Sequence, residues 1–286
     1  MQSRKTGGSG GRVQGAQAAL TALVLVCAAG GAAGAERVRP PDSIAERVAA
    51  CVACHGNEGR ATAEGYFPRI AGKPAGYLFN QLANFRDGRR RNASMNYLVA
   101  NLPDAYLQEI AVYFAAQNPP YPPPQAAQAA PAVIERGRLL TERGDGSKLP
   151  ACAACHGSAL TGVAPAIPGL LGLPRDYLNA QLGAWRNGDR RAHAPDCMGE
   201  IARRLSEADL GAVTAYLSTQ APAAHAAPAV QAPAPLPLRC GGLEALSVKA
   251  EAVPAKAEVP ARAEALPAKA AAVPAKAAAV PAKAAP

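Results

Sequence analysis

A five-residue motif occurs twice in this chain about 100 residues apart, as Cys51-Val-Ala-Cys54-His55 and Cys152-Ala-Ala-Cys155-His156, each followed by glycine. That distance is too long for a solenoid unit and suits a duplicated small domain. A longer repeat surrounds the motif. Tyr77-Leu78, Gln81-Leu82, Phe85-Arg86, Gly88 and Arg90-Arg91 return as Tyr177-Leu178, Gln181-Leu182, Trp185-Arg186, Gly188 and Arg190-Arg191. After a three-residue insertion, Met95, Leu102 and Tyr113 match Met198, Leu205 and Tyr216. The chain must therefore build two similar units, each around whatever C-x-x-C-H requires.

C-x-x-C-H is the attachment signature of c-type haem: two thiols on one turn can each add to a vinyl group while the next histidine points at the iron. A zinc or redox reading of C-x-x-C leaves the adjacent histidine unexplained, and the βαβ context of a thioredoxin-like site is missing. Cys51, Cys54, Cys152 and Cys155 are thus expected in thioethers, and His55 and His156 as proximal iron ligands. Of three methionines, Met1 falls in the leader and the other two occupy matching positions, 40 and 42 residues after the proximal histidines. A lone methionine is usually core filler, but a matched pair reads as the two sixth iron ligands, Met95 and Met198. Cys197 and His193 are the rivals near Met198, with default readings as a surface or disulfide thiol and a surface histidine. Two filled coordination spheres favour electron carriage over peroxide chemistry or gas sensing, so no catalytic residue is expected.

The foldable part is bounded by composition. Residues 1–35 combine Arg4, Lys5 and Arg12, a short apolar run and Ala33-Gly34-Ala35, the pattern of a signal peptide cut near Ala35 for export to the periplasm. The apolar run is too short to span a bilayer. Domain 1 is expected over 36–117, a stiff Pro-rich linker over 118–131 and domain 2 over 132–220. Residues 221–286 carry repeats such as Val273-Pro-Ala-Lys and are read as a disordered basic tail with no core to contribute, so that its loss would leave the domains intact. Cys240 stands out there. With Cys197 it forms the even pair left after haem attachment, and an oxidising compartment favours joining them, although geometry cannot be read from sequence.

The formal net charge of +9 becomes +6 without the leader. Arg86, Arg89, Arg90, Arg91, Arg186, Arg190 and Arg191 precede the methionine loops and read either as a solvated surface or as a docking face for an acidic partner. No nucleic-acid motif accompanies the charge. Helical periodicity dominates both halves, without a convincing strand. Ser43 with Glu46 forms a capping box, Gly88 and Gly188 end the helices carrying Leu78, Leu82, Phe85 and their counterparts, and Pro103 and Ser206 start the final helices.

With these motifs in view, the stretch from Asp42 to Gln220 resembles the di-haem cytochromes of the c4 type. The likeness rests on the haem motifs, Phe67-Pro68-Arg69-Ile70-Ala71-Gly72, Y-L-x-x-Q-L-x-x-[FW]-R-x-G and the methionine before the last helix. It implies an all-α fold of two tandem cytochrome c domains related by a pseudo-twofold axis. It also implies two covalently attached haem c groups with His/Met ligation, in a soluble or loosely membrane-associated electron carrier. The donor would be a quinol-oxidising complex or a dehydrogenase, and the acceptor a terminal oxidase. A haem subunit bound permanently to a periplasmic dehydrogenase and a di-haem peroxidase are the alternatives. In the family, the proline of F-P-R-[IL]-A-G accepts a hydrogen bond from the proximal imidazole. Pro68 matches it directly, and Pro168 is its counterpart in a second half that lacks Phe-Pro-Arg.

Overall fold

The computed structural model describes residues 42–62, 65–223, 226–232 and 234–244, so the segment expected to direct export and the Val-Pro-Ala-Lys repeats lie outside the described residues. Short helices joined by long loops make two units with the same element order. In the first unit, α1 (Ile44–Arg47) and α2 (Ala49–His55) are followed by α3 (Ala75–Arg86), α4 (Ala93–Val99) and α5 (Asp104–Ala115). In the second, α6 (Pro131–Arg143) and α7 (Cys152–His156) are followed by α8 (Arg175–Asn187), α9 (Cys197–Arg204) and α10 (Glu207–Ser218).

The local signals act as expected. Ser43 Oγ accepts from the Glu46 N–H to start α1, Ser206 Oγ accepts from the Asp209 N–H to start α10, and Pro103 precedes α5. Gly88 and Gly188, at φ 72° and 80°, follow α3 and end α8 in the left-handed region open to glycine. The first core gathers Val48, Leu78, Ile110, Ala111 and Phe114, next to a cluster of Ala83, Phe85, Val99 and Leu107. The second gathers Leu140, Leu149, Leu160, Leu173, Leu178, Leu205, Val213 and Leu217. Here α6 lies directly on α10, because Gly137 brings its backbone against the Ala212 carbonyl where any side chain would collide.

A two-residue antiparallel ladder, β1 (Gly162–Val163) with β2 (Ile167–Pro168), adds strand where none was expected. Two residues are too few to carry a period-2 signal.

The two units meet through matching residues, as a pseudo-twofold relation requires. Arg90 and Arg190 form an antiparallel bridge, the Arg91 N–H donates to Asp189 O at 2.8 Å, and the Arg191 N–H donates to Arg89 O at 2.7 Å. The Arg90 guanidinium donates to Gln81 and Gln181, and Arg190 donates to Gln181, Gln81 and the Tyr77 hydroxyl. Arg90 lies over the Phe85 ring and Arg190 over the Trp185 ring. This corrects the reading for two of the seven arginines: Arg190 is 4 % exposed, and the guanidiniums of Arg90 and Arg190 are spent on the contact between units rather than on a docking face. Arg86 and Arg89 are likewise paired, with Asp87 and Asp104. Arg190→Glu would set a carboxylate against two amide oxygens, and a loss on the order of 3 kcal/mol is expected from replacing buried charged hydrogen bonds by repulsion. Thermal unfolding of the holoprotein checks this; a melting curve unchanged from wild type would show that the contact carries no stability.

The linker is extended and also anchored. Arg69 donates to Pro119 O and Pro120 O and stacks on Tyr121, while Gln125 bonds Ser218 O and the Arg175 N–H. A second correction concerns the boundary at 221. The Ala229 N–H donates to Gly162 O and its carbonyl accepts from the Ala164 N–H, while Cys240 is joined to Cys197 across a Cα–Cα distance of 5.1 Å. The following turn, α11 (Gly241–Glu244), sits beside Pro195 and Asn80. The packed chain thus runs past Gln220 to at least 244. Leu236, Leu238 and Leu243 supply the apolar area that the Val-Pro-Ala-Lys repeats lack.

Two candidate haem sites

Each C-x-x-C-H motif ends a short helix, with its histidine as the last helical residue. Gly56 and Gly157, at φ 74° and 83°, then turn the chain sharply. The turned segment is held in the same way in both units: the Ile70 N–H donates to Gly59 O and the Leu170 N–H to Leu160 O, both at 2.9 Å. This brings the Pro68 carbonyl to 2.9 Å from His55 Nδ1 and the Pro168 carbonyl to 2.7 Å from His156 Nδ1. The counterpart lacking Phe-Pro-Arg therefore makes the same contact as the direct match. A carbonyl can only accept, so Nδ1 carries the proton and the Nε2 lone pair is left for a metal. Burial, opposed by these hydrogen bonds, holds both imidazoles below the usual histidine range, which keeps them neutral as ligation demands.

The thiols lie in apolar surroundings. Burial pushes Cys152 up to about 11 and raises Cys51 and Cys155 as well. In the second unit a single cavity is lined by Cys152, Cys155, His156 and Met198 together with Trp185 and Leu205. Asp196 caps α9 through the Gly199 N–H and also accepts from the Ala192 N–H, which fixes Met198 in the first turn. In the first unit Asn92 caps α4 through the N–H of Met95 itself. Met95 packs with Ala83, Phe85, Val99 and Leu107, while Cys51 packs with Val48, Ile110 and Phe114; Phe79, Leu82 and Leu102 touch both groups.

Sequence reasoning missed a pair of buried cations, Lys73 and Arg190, beside the half-buried Arg90. Lys73 lines the second cavity with Tyr77 and Arg190 and is bonded only to Gly169 O, and neither Arg90 nor Arg190 has a carboxylate partner among the described residues. Burial alone would raise the Tyr77 hydroxyl, but Arg190, Arg90 and Lys73 around it draw it below the usual phenol range. Uncompensated buried cations call for an anion, and a haem carries two carboxylates. Thiols, a neutral imidazole with a free nitrogen, a thioether and unpaired cations thus make a donor set that fits the group. The only sequence signal for the cations was the matched Arg90-Arg91 and Arg190-Arg191 repeat.

Comparison with known proteins agrees with this donor set. Residues 141–221 match the family model for cytochrome c. The chain is 37 % identical over 185 residues to a thiosulfate dehydrogenase electron acceptor from Thiomonas intermedia, covering 63 % of this chain and 81 % of the relative. It is 34 % identical over 174 residues to cytochrome c4 of Pseudomonas aeruginosa, covering 60 % and 84 %. The crystal structure of reduced recombinant cytochrome c4 from Pseudomonas stutzeri superposes with a TM-score of 0.52 at 31 % identity, covering 61 % of this chain and 95 % of that one. With two matching all-α units, each built around a C-x-x-C-H turn, this chain belongs to the cytochrome c4 family and carries two covalently attached haem c groups.

Proposed function

We propose that this protein is an exported, periplasmic electron carrier that accepts single electrons from a thiosulfate-oxidising dehydrogenase and passes them to a terminal oxidase or another small cytochrome, with no substrate chemistry of its own. The observation that carries the reading is the matched donor set, a neutral histidine and a methionine in each half at corresponding positions. Each haem, when bound, supplies a one-electron centre. In this reading Cys51, Cys54, Cys152 and Cys155 hold the groups by thioethers, His55 and His156 ligate through Nε2, and Met95 and Met198 fill the sixth positions. Pro68 and Pro168 hold the imidazoles in one tautomer, which fixes ring orientation and raises ligand basicity. Arg90, Arg190 and Lys73, gathered at the contact between units, would balance the carboxylates of a bound haem.

The donor assignment draws on the relative named as an electron acceptor of thiosulfate dehydrogenase. Stopped-flow mixing of the oxidised holoprotein with a purified thiosulfate dehydrogenase and thiosulfate is expected to reduce both haems within seconds, with no reduction when either is omitted. Reduction only by a quinol-oxidising complex would overturn the donor, and turnover of peroxide would overturn the carrier reading itself.

A further inference from the structure

The described residues from 226 to 244 have no counterpart in the first unit, and they lie over the second haem site. Leu236, Leu238, Cys240, Gly242 and Leu243 line the same cavity as Cys155, His156 and Met198. Three kinds of anchor hold the segment. Ala229 pairs with Gly162 and Ala164 at one end, the Gly241 N–H donates to Pro195 O at 3.0 Å at the other, and the disulfide ties Cys240 to the residue immediately before Met198. Asn80 of the first unit adds a bond to Gly242 O at 2.7 Å, so the segment spans the contact between units as well. Its seat is close-fitting: a side chain on Gly241 would collide with the Ala194 carbonyl.

The first site has a different aspect. On α4, just beyond Met95, Tyr97 and Leu98 are 84 % and 46 % exposed. The corresponding residues of α9 are Glu200 and Ile201, and Ile201 lines the cavity that the segment closes. The two halves, near-equivalent in sequence, thus differ in which methionine-bearing helix is open to a partner.

We propose that residues 226–244 form a strap that shuts the second haem site to protein redox partners, latched by the Cys197–Cys240 disulfide, so that electrons enter and leave through the first unit and reach the second haem only internally. This deepens the carrier reading and rests on its assignment of the haem ligands. A strap of this kind gives a symmetric pair of haems a direction: one exchanges with partners and the other stores charge behind it.

The test uses the full-length holoprotein in a Met95→His background. Two nitrogen ligands lower the potential of the first haem below the reach of a mild donor, leaving the second to be reduced directly. Ascorbate serves as the small probe and reduced mitochondrial cytochrome c as the protein probe. With the strap latched, the second haem is expected to take electrons from ascorbate but at least tenfold more slowly from cytochrome c than it does in a Cys197→Ala/Cys240→Ala variant. Equal cytochrome c rates with and without the disulfide overturn the strap. A first haem whose spectrum ignores Met95→His overturns the ligand assignment instead, so the two failures are distinguishable. Should the double variant lose haem, hydrogen exchange of the unsubstituted protein with and without tris(carboxyethyl)phosphine decides the latch. Loss of protection confined to 226–243 is expected, and unchanged protection there refutes it.

Discussion

In a Met95→Ala holoprotein, one of the two haems is expected to become high-spin, bind added imidazole readily and fall in potential by a sizeable part of the roughly 0.8 V range that axial ligation commands. The other haem should keep its low-spin spectrum and its sulfur-to-iron band. The expectation follows from position. Met95 sits in the first turn of α4, held there by the cap from Asn92, and packs against side chains shared with the Cys51 cluster. Histidine with thioether raises a haem potential, and removing the sulfur removes that bias. Truncation also leaves a gap among Ala83, Phe85, Val99 and Leu107, so a stability loss of about 2–3 kcal/mol accompanies the spectral change. Met198→Ala should likewise remove the sulfur-to-iron band of the second haem and lower its potential, but leave that haem low-spin, because His193 lines the same cavity and can take the vacated position. Optical spectra, spin resonance and a redox titration of each variant read these changes. If Met95→Ala leaves both haems low-spin with the sulfur band intact, Met95 does not bind iron.

Gly137→Ala is expected to be strongly damaging to the second unit. A Cβ there would meet the carbonyl carbon and oxygen of Ala212 and lie 2.8 Å from Tyr216 Cβ, and two of those atoms are backbone that cannot turn aside. The helices α6 and α10 would have to separate and pull Leu140 away from Val213 and Leu217, with which it shares the core. Overpacking of this kind costs about 3 kcal/mol. For a unit of this size that is a fall of roughly 12–24 °C in melting temperature. Gly183, within α8, supplies the control. Nothing lies within 4 Å of its would-be Cβ, so Gly183→Ala should stabilise the protein by about 0.5–1 kcal/mol through helix propensity alone. Differential scanning calorimetry of the two holoprotein variants separates these effects. A Gly137→Ala protein that melts like wild type would show that the two helices have room to spare.

Much of the site was legible because haem attachment imposes chemistry at fixed spacing. Cys51, Cys54 and His55, and again Cys152, Cys155 and His156, must be neighbours on one turn, and a matched methionine downstream needs only local helix signals to be placed. The Pro168 contact was legible only as a weak likeness, since the residues around it differ. It holds because the carbonyl that bonds His156 belongs to the backbone, and the Leu170–Leu160 bond positions that backbone whatever the side chains. Lys73 and Tyr77 were not legible. Nothing local marks a lysine as buried, and the contact between units alone takes it out of water.

Local sequence, then, determined the duplication, the helices with their caps and stops, and the covalent haem chemistry, because each depends on residues within a few positions of one another or on a repeat that a single chain displays. The tertiary structure decided what depends on distant segments meeting. Arg90 and Arg190 look like surface charge in the sequence, and they became the join between units because the pseudo-twofold arrangement sets each guanidinium against the glutamines of both halves. Cys240 lies in a stretch whose prolines and alanines read as tail. Packing on the second cavity, and the 5.1 Å approach of its Cα to that of Cys197, made it part of the fold. Composition reports how much apolar area a segment carries. Only the assembled structure shows whether a complementary surface is there to receive it.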